Sequence, residues 1–377
     1  LEQVLPIAKS LYDKGFEIHG IFSSKLSYGY GSRYIKRKYI HQIAVEIEDY
    51  YLFIKSVLQK ERYVSIIPMR DSAAEVMCKY RDDLLQYTAY VMPDADGFER
   101  GFDKQRLMEV CKMHGYPHPE TYIVRNGSLC GLDIEEIRYP VLIKPNHTFG
   151  ARGMTLCRNK DELEKKYPII FNQFGECHLQ TYIPEGGHQV EVQIYINEKQ
   201  ELVQSSVIKK FRWYPNKGGS SCCNISCKNE KIVDICYKVL KSIGWVGFAD
   251  FDTIEDPRTG ELLIMEINPR VPACVKSAFA SGIDWADVIV GEYLKKSHKV
   301  YQMNREVYLR FLGVEVLWFL KSENKWHTKP NWFNFFGKDI FYQDMSDWTD
   351  PMPFIRGTIG NIKKQLSPEF RKSKAGV

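Results

Sequence analysis

Hydrophobic positions at Val4, Leu5, Ile7, Ala8, Leu11 and Tyr12 recur with the spacing of one helix face, and Gly15 supplies the stop. A short apolar stretch, 16–22, follows as a strand. A helix leading into a strand predicts a βαβ sheet whose first strand, with its Gly-rich turn, would lie upstream of Leu1. The run Val64-Ser65-Ile66-Ile67-Pro68 predicts a buried parallel strand. Ser72 and Glu75 form a capping box for a helix running to about Tyr80. Asp103 predicts another helix start, with Leu107, Met108, Val110 and Cys111 inward and Gly115 at its end.

Further along, strands are predicted at 139–144, 154–157 and 178–183, with a helix opening at Asn159 and Glu162. Residues 189–208 alternate: Val190, Val192, Ile194 and Ile196 share one face, Glu191, Gln193 and Tyr195 the other, and 197–200 is a turn. Ile232, Val233, Cys236, Val239, Leu240 and Ile243 give an amphipathic helix ended by Gly244. Two strands within 247–270 close through a turn at 256–260. The tail from about 300 is rich in Trp and Phe and ends in basic residues. The predicted class is α/β, in three parts. These are an incomplete Rossmann-like N-terminal domain, 1–100, a core, 101–298, with a small α+β unit at about 120–185, and a C-terminal extension, 299–377.

Composition narrows the function classes. With 44% hydrophobic and 26% charged residues, the 377-residue chain reads as an ordinary globular protein with room for two or three domains. The net charge of +5 is mild and Lys and Arg are dispersed, so there is no electrostatic footprint for nucleic acid. Ten cysteines are scattered without a metal-binding spacing, a usage that fits a reducing cytoplasm. No signal-peptide pattern and no apolar run long enough to span a bilayer is present, so no transmembrane segment is expected.

The chemistry concentrates in 247–270. Strand alternation brings Asp252, Glu266 and Asn268 to one face of a hairpin, with Arg270 two residues beyond. Singly, such residues usually form a solvated face. The second strand, however, carries Leu262, Leu263, Ile264, Met265 and Ile267, and carboxylates on a buried strand need partners or a metal. Hard oxygen ligands with room for phosphate oxygens suit nucleotide-bound Mg²⁺. Lys144 ends a strand at a loop containing Gly150 and Gly153, where backbone N–H groups could approach phosphates. The segment Gln180-Thr181-Tyr182-Ile183 breaks at Pro184 and could pair an adenine edge. Lys210 and Arg212 precede Gly218 and Gly219, a cation set suited to developing negative charge.

The order of these pieces resembles the ATP-grasp superfamily over about 100–298. They run from Asp103-Lys104 through 140–145, the Gly loop and Gln-Thr-Tyr-Ile to Asp252 and Glu266-Ile-Asn268-Pro-Arg270. Ser32-Arg33-Tyr34, Ile67-Pro68 and Asp350-Pro351-Met352-Pro353 resemble a carboxylate-amine ligase subgroup that includes D-aspartate ligases. The resemblance implies an ATP-grasp core with a mobile lid at about 120–185. It implies ATP as cofactor with Mg²⁺, Mn²⁺ being able to substitute. Lys104 and Lys144 would hold phosphates, and 180–183 would form the adenine hinge, with Gln180 or Thr181 where the family often has Glu. His188 is the candidate ribose contact. Asp252, Glu266 and Asn268 would hold the metal, Asp250 would stand behind them, and Arg270, with Lys210 and Arg212, would stabilise developing charge. The implied reaction joins a small-molecule carboxylate to an amine through an acylphosphate, with ADP and phosphate released and a homodimer as one assembly. Carboxylation, phosphoryl transfer and non-catalytic nucleotide sensing are the alternatives.

Overall fold

The structure is a computed structural model that describes residues 2–42, 46–147, 152–214, 220–323, 325–345 and 347–366. Helix Val4–Asp13 buries Leu5, Ile7, Ala8 and Leu11, and the chain turns at Gly15 with φ +84°. Strand β1, His19–Phe22, pairs in parallel with β2, Arg37–Ile40, so the first strand begins three residues later than the apolar pattern suggests. The expected strand at 64–68 makes only a single parallel bridge, Ser65 to Ala89, and Val64 is exposed. A strand needs a paired edge to persist, and Pro68 has no N–H to donate. The helix expected from the capping box is Asp71–Lys79 and starts one residue before Ser72, with no side-chain cap.

A four-stranded antiparallel sheet contains β3, Thr121–Tyr122, β4, Val141–Pro145, β5, Thr155–Cys157, and β6, Cys177–Thr181, in the order β3-β6-β4-β5. Helix Lys160–Phe174 packs on it, its N-terminus capped by Asn159, whose Oδ1 accepts from Glu162 N at 2.9 Å. Val141, Ile143, Cys157, Leu163, Tyr167 and Leu179 form a core of their own.

The main sheet has seven strands. It comprises β7, Gln189–Ile196, β8, Leu202–Tyr214, β9, Ser220–Cys227, β10, Gly247–Glu255, β11, Leu262–Asn268, β12, Tyr308–Arg310, and β13, Ile340–Tyr342. Their order is β11-β10-β7-β8-β9-β12-β13. The aromatic-rich tail therefore supplies two strands of the central sheet, with Tyr308 opposite Ile225 and Arg310 opposite Cys223. Alternation along β7 does not mark an exposed face, because Glu191, Gln193 and Tyr195 are buried as well. Gln193 Oε1 accepts from Ser206 Oγ at 2.8 Å, and Ser206 Oγ accepts from Trp285 Nε1 at 3.0 Å, so a second layer covers that side.

Candidate active site

The hairpin of β10 and β11 closes where expected: Gly260 N donates to Asp256 O at 2.7 Å, and Gly260 takes φ +72°. The register sets Asp252 opposite Glu266 and Asp250 opposite Asn268. On the other side Asp252 stands opposite Glu191 of β7. Lys210 of β8 reaches across, its Nζ 2.8 Å from Asp252 Oδ1 and 3.0 Å from Glu191 Oε2. Asn268 Nδ2 donates to Asp252 Oδ2 at 3.1 Å.

The electrostatics follow from burial and pairing. Burial opposes the charge on Asp252, but Lys210, then Arg270 and Asn268, outweigh it and hold the carboxyl below the usual carboxylate range. Asp250, 1% exposed, has Oδ1 without a hydrogen-bond partner. Burial, and then Glu191 and Asp252, hold its carboxyl well above the usual range. Burial opposes charge on Lys210 as well, yet Asp252 and Glu191 raise it well above an ordinary lysine.

Arg270 is the hub of a second set. Its Nε lies 3.2 Å from Asp71 Oδ1, its Nη1 3.8 Å from Asp250 Oδ2, and its Nη2 donates to Asn268 Oδ1 at 3.3 Å. Asp71 opens helix Asp71–Lys79, so the N-terminal segment is tied directly to the strand end that carries Arg270. Sequence reasoning did not single out Asp71 or Glu191. Glu191 was readable in principle as a carboxylate inside an apolar strand, whereas Asp71 carries no local signal.

Opposite the hairpin stand two lysines. Lys104 begins helix Lys104–His114, whose cap is Asp103 accepting from Arg106 N at 2.9 Å, and Lys104 Nζ lies 3.2 Å from Glu266 Oε2. Lys144 of β4 is 5% exposed and donates to Gln180 Oε1 at 2.9 Å. Burial lowers Lys144 from 10.5 to about 8, with Glu266 and Asp252 pulling against the fall and Lys104 adding to it. The four-stranded unit thus presents its cation towards the carboxylates of the main sheet. His178, opposite Lys144 on β6, is fully buried, its Nδ1 2.9 Å from Asn146 Oδ1 and its Nε2 without a partner.

The remaining expected residues divide. Gly153 takes φ +75°, and a Cβ there would lie 2.7 Å from the Phe174 ring, so turn and packing both demand glycine. Gly150, Gly218 and Gly219 lie outside the described residues. The Gln180 side chain is spent on Lys144 and Thr121, the latter at 3.3 Å from Nε2. Thr181 N and Tyr182 N donate to Glu120 O and Pro140 O, while Thr181 Oγ1 is buried without a partner. A cavity of about 310 Å³ lies against this segment, lined by His118, Tyr139, Thr181, Tyr182, Ile183 and Arg258, and it does not reach Asp252 or Glu266. His188 N donates to Glu255 Oε2 at 3.1 Å, and its ring meets Phe211 edge-on at 5.8 Å.

Arg212 is a correction. The sequence reading grouped it with Lys210 as a cation set for developing charge. A break in register between Lys210 and Arg212 against β9 separates the two. Arg212, 1% exposed, pairs with Glu315 and donates to Pro330 O at 2.6 Å, and Arg310 shares the same Glu315. Arg212 therefore anchors the C-terminal extension to β8 and does not join Asp252 and Glu266. Glu315→Gln is expected to destabilise the fold by about 3–5 kcal/mol, because a buried cation loses its partner. Urea unfolding measures this. ATP affinity in folded protein should not change, and a large change would return Arg212 to the phosphate site.

Residues 103–293 match the family model described as carbamoyl-phosphate synthase L chain, ATP binding domain. The chain belongs to this family, within the ATP-grasp superfamily. It is 27% identical over 243 residues to the D-aspartate ligase of Enterococcus faecium (strain Aus0004), covering 58% of each protein. The C-terminal section of the carbamoyl phosphate synthase large subunit from Methanopyrus kandleri is 21% identical over 198 residues, and the match spans 35% of its length. The protein thus spans well under two thirds of these relatives. Among solved structures, the Campylobacter jejuni biotin carboxylase–ATP complex superposes with a TM-score of 0.67 at 17% identity, covering 81% of this protein and 72% of that one. The biotin carboxylase domain of Hydrogenobacter thermophilus 2-oxoglutarate carboxylase, solved with MgADP and bicarbonate, gives 0.64 at 21%, covering 81% and 71%. These structural likenesses establish the fold. Among the described residues no helix is long and apolar enough to cross a membrane.

Proposed function

We propose that this protein is an ATP-dependent ligase that activates a substrate carboxylate as an acylphosphate and joins it to an amine. One observation carries the reading: Asp252, Glu266, Asn268 and Arg270 converge at the end of one hairpin, with Lys104 and Lys144 facing them. Likeness to a D-aspartate ligase favours a carboxylate-amine reaction over the alternatives.

The donor set fits a nucleotide-bound divalent cation, Mg²⁺ or Mn²⁺ in its place. It offers two carboxylates and an amide oxygen, and among the described residues no cluster of three or more His, Cys, Asp or Glu could hold a metal unaided. Such a set binds weakly until phosphate oxygens complete the coordination. Asp252, Glu266 and Asn268 would hold the ion, which supplies charge neutralisation for the phosphates. Lys104 and Lys144 hold the phosphates, and the hinge at 180–183 with His188 takes the adenosine. A carboxylate oxygen of the substrate attacks the γ-phosphorus, the bond to the bridging oxygen breaks, and ADP leaves. The neutral amine nitrogen then attacks the acyl carbon, the C–O bond breaks, and the departing phosphate takes up the proton that the nitrogen gives up. Arg270 presents a planar donor fork to the charge that develops in both steps. Residues 120–185 act as the lid that excludes water from the acylphosphate, on a core of 101–298 flanked by 1–100 and 299–377.

Hydroxylamine trapping tests the reaction class. With MgATP and a panel of carboxylic acids including D-aspartate, at least one acid should yield a hydroxamate together with ADP. ADP release without hydroxamate from any acid would turn the assignment to carboxylation or phosphoryl transfer.

The low set point of Lys144 predicts a pH signature for nucleotide binding. In the free protein this lysine loses its proton as pH rises through about 8. Phosphates favour the charged form, so binding near pH 8 takes up a proton. Affinity should then fall above that pH, approaching about tenfold per unit for one linked proton. The unfolded lysine titrates at 10.5, so between about 8 and 10.5 the unfolded state binds more protons and this group's contribution to stability rises with pH. Calorimetric titration in buffers of different ionisation heat reads the proton count, and Lys144→Met should abolish it.

A further inference from the structure

Helix Met352–Leu366, in the C-terminal extension, reverses the usual arrangement of a helix that covers a core. Its inward face is made of small residues. Pro353 and Gly357 are buried, and a Cβ on Gly357 would overlap the Tyr28 ring. One on Gly360 would lie 2.6 Å from Leu26 O, so the helix backbone presses directly on the chain around Tyr28–Gly31. The large side chains point away. Met352, Ile355, Ile359 and Ile362 follow at steps of three, four and three, which is one stripe of a helix. All four are exposed, Ile362 to 55%. A helix that served packing alone would bury its isoleucines.

The charges beside this stripe are of one sign. The helix sequence carries Arg356, Lys363 and Lys364 and no acidic residue. Arg356 and Lys363, seven positions apart, share the flank next to the stripe. Arg356 Cζ lies 5.9 Å and Lys38 Nζ 5.8 Å from the centre of the same ring, Tyr30, and Arg356 works against the charge on Lys38. The carboxylates just ahead of the helix are engaged. Asp350, which also bears on Lys38, accepts from Ser32 Oγ at 2.6 Å and from Arg33 N at 3.1 Å. Asp347 accepts from Thr349 N at 2.7 Å and from Tyr34 Oη at 2.5 Å. Trp348, four residues before Met352, is 93% exposed.

An apolar stripe flanked by cations calls for a partner with apolar surface and negative charge side by side. A second copy of the helix would add three more cations and no carboxylate. The head-group zone of an anionic bilayer offers both, and an indole is favourable at that level. At 15 residues the helix is about 22 Å long, too short to cross the hydrocarbon core, so it fits along the surface. We propose that helix Met352–Leu366 docks the protein on an anionic phospholipid surface. Met352, Ile355, Ile359 and Ile362 enter the zone between head groups and acyl chains, and Lys38, Arg356 and Lys363 meet the lipid phosphates. The surface is separate from the nucleotide site and does not depend on the ligase reading.

Co-sedimentation of the full chain with vesicles tests this. Vesicles of phosphatidylcholine with about one-third phosphatidylglycerol should bind the protein at least about tenfold more tightly than pure phosphatidylcholine, the attraction of three cations for anionic lipid. Raising the salt from about 0.1 M to about 1 M should weaken that binding, because screening shortens the reach of the charges. Ile362→Ser should weaken it by about tenfold through lost apolar burial, and Lys363→Gln by about fivefold. Both positions are exposed and outside the nucleotide site, so thermal unfolding and ATP affinity should match the wild type. Failure to bind either vesicle, equal binding to both, or wild-type binding by both variants would each overturn the proposal. A dimer in sedimentation equilibrium that Ile362→Ser dissociates, with vesicle binding unchanged, would overturn it too and give the face to a second copy.

Discussion

Glu266→Ala is expected to abolish the Mg²⁺ dependence of ATP binding and to lower turnover by about a thousandfold, since metal-borne charge stabilisation is worth several kcal/mol. The carboxylate stands opposite Asp252 on the paired strand and 3.2 Å from Lys104. Its removal takes away the carboxylate against which Lys104 is set and, under the proposed ligand set, one of two hard anionic ligands. Titrations of ATP with and without Mg²⁺ decide the matter. The wild type should bind more tightly with the ion, and the variant should bind equally in both. If the wild type shows no difference, Asp252, Glu266 and Asn268 are not a metal site.

Arg270→Lys should cost turnover far more than ATP affinity, on the order of 2–4 kcal/mol of transition-state stabilisation. The guanidinium lies between Asp71, Asp250 and Asn268, and only a planar fork serves three such partners and, in the proposed reaction, a phosphoryl group as well. An ammonium keeps the charge and loses the geometry. Single-turnover hydroxamate formation measures the chemical step, and equilibrium ATP binding supplies the control. A variant with near wild-type turnover would make Arg270 a structural counterion to buried Asp250.

Much of this site was legible in sequence because it is local. Strand alternation placed Asp252, Glu266 and Asn268 on one face, the 256–260 turn joined their strands, and the structure brings them into register. Helix ends were legible for the same reason: Asp103 and Asn159 act as caps through side-chain contacts three residues long. A period of two, a tight turn and a cap are all decided within a few residues, where backbone sterics outweigh distant packing.

Tertiary structure decided what depends on partners far along the sequence. Lys210 and Arg212 look equivalent by spacing, yet a register break against β9 leaves one with Asp252 and commits the other to Glu315, 103 positions away. Val64-Ser65-Ile66-Ile67-Pro68 has the composition of a buried strand but pairs only at Ser65, since pairing is a property of two segments. Nothing near Asp71 marks it out, Glu191 is marked only as a carboxylate inside an apolar strand, and the chemistry of both comes from what the fold sets beside them: Arg270 and Lys210. The sequence by itself determined several helix ends and the local face of the hairpin. Sheet order, register breaks and the docking of the C-terminal extension determined which charges meet, because electrostatic partners are chosen by distance through space and by burial together.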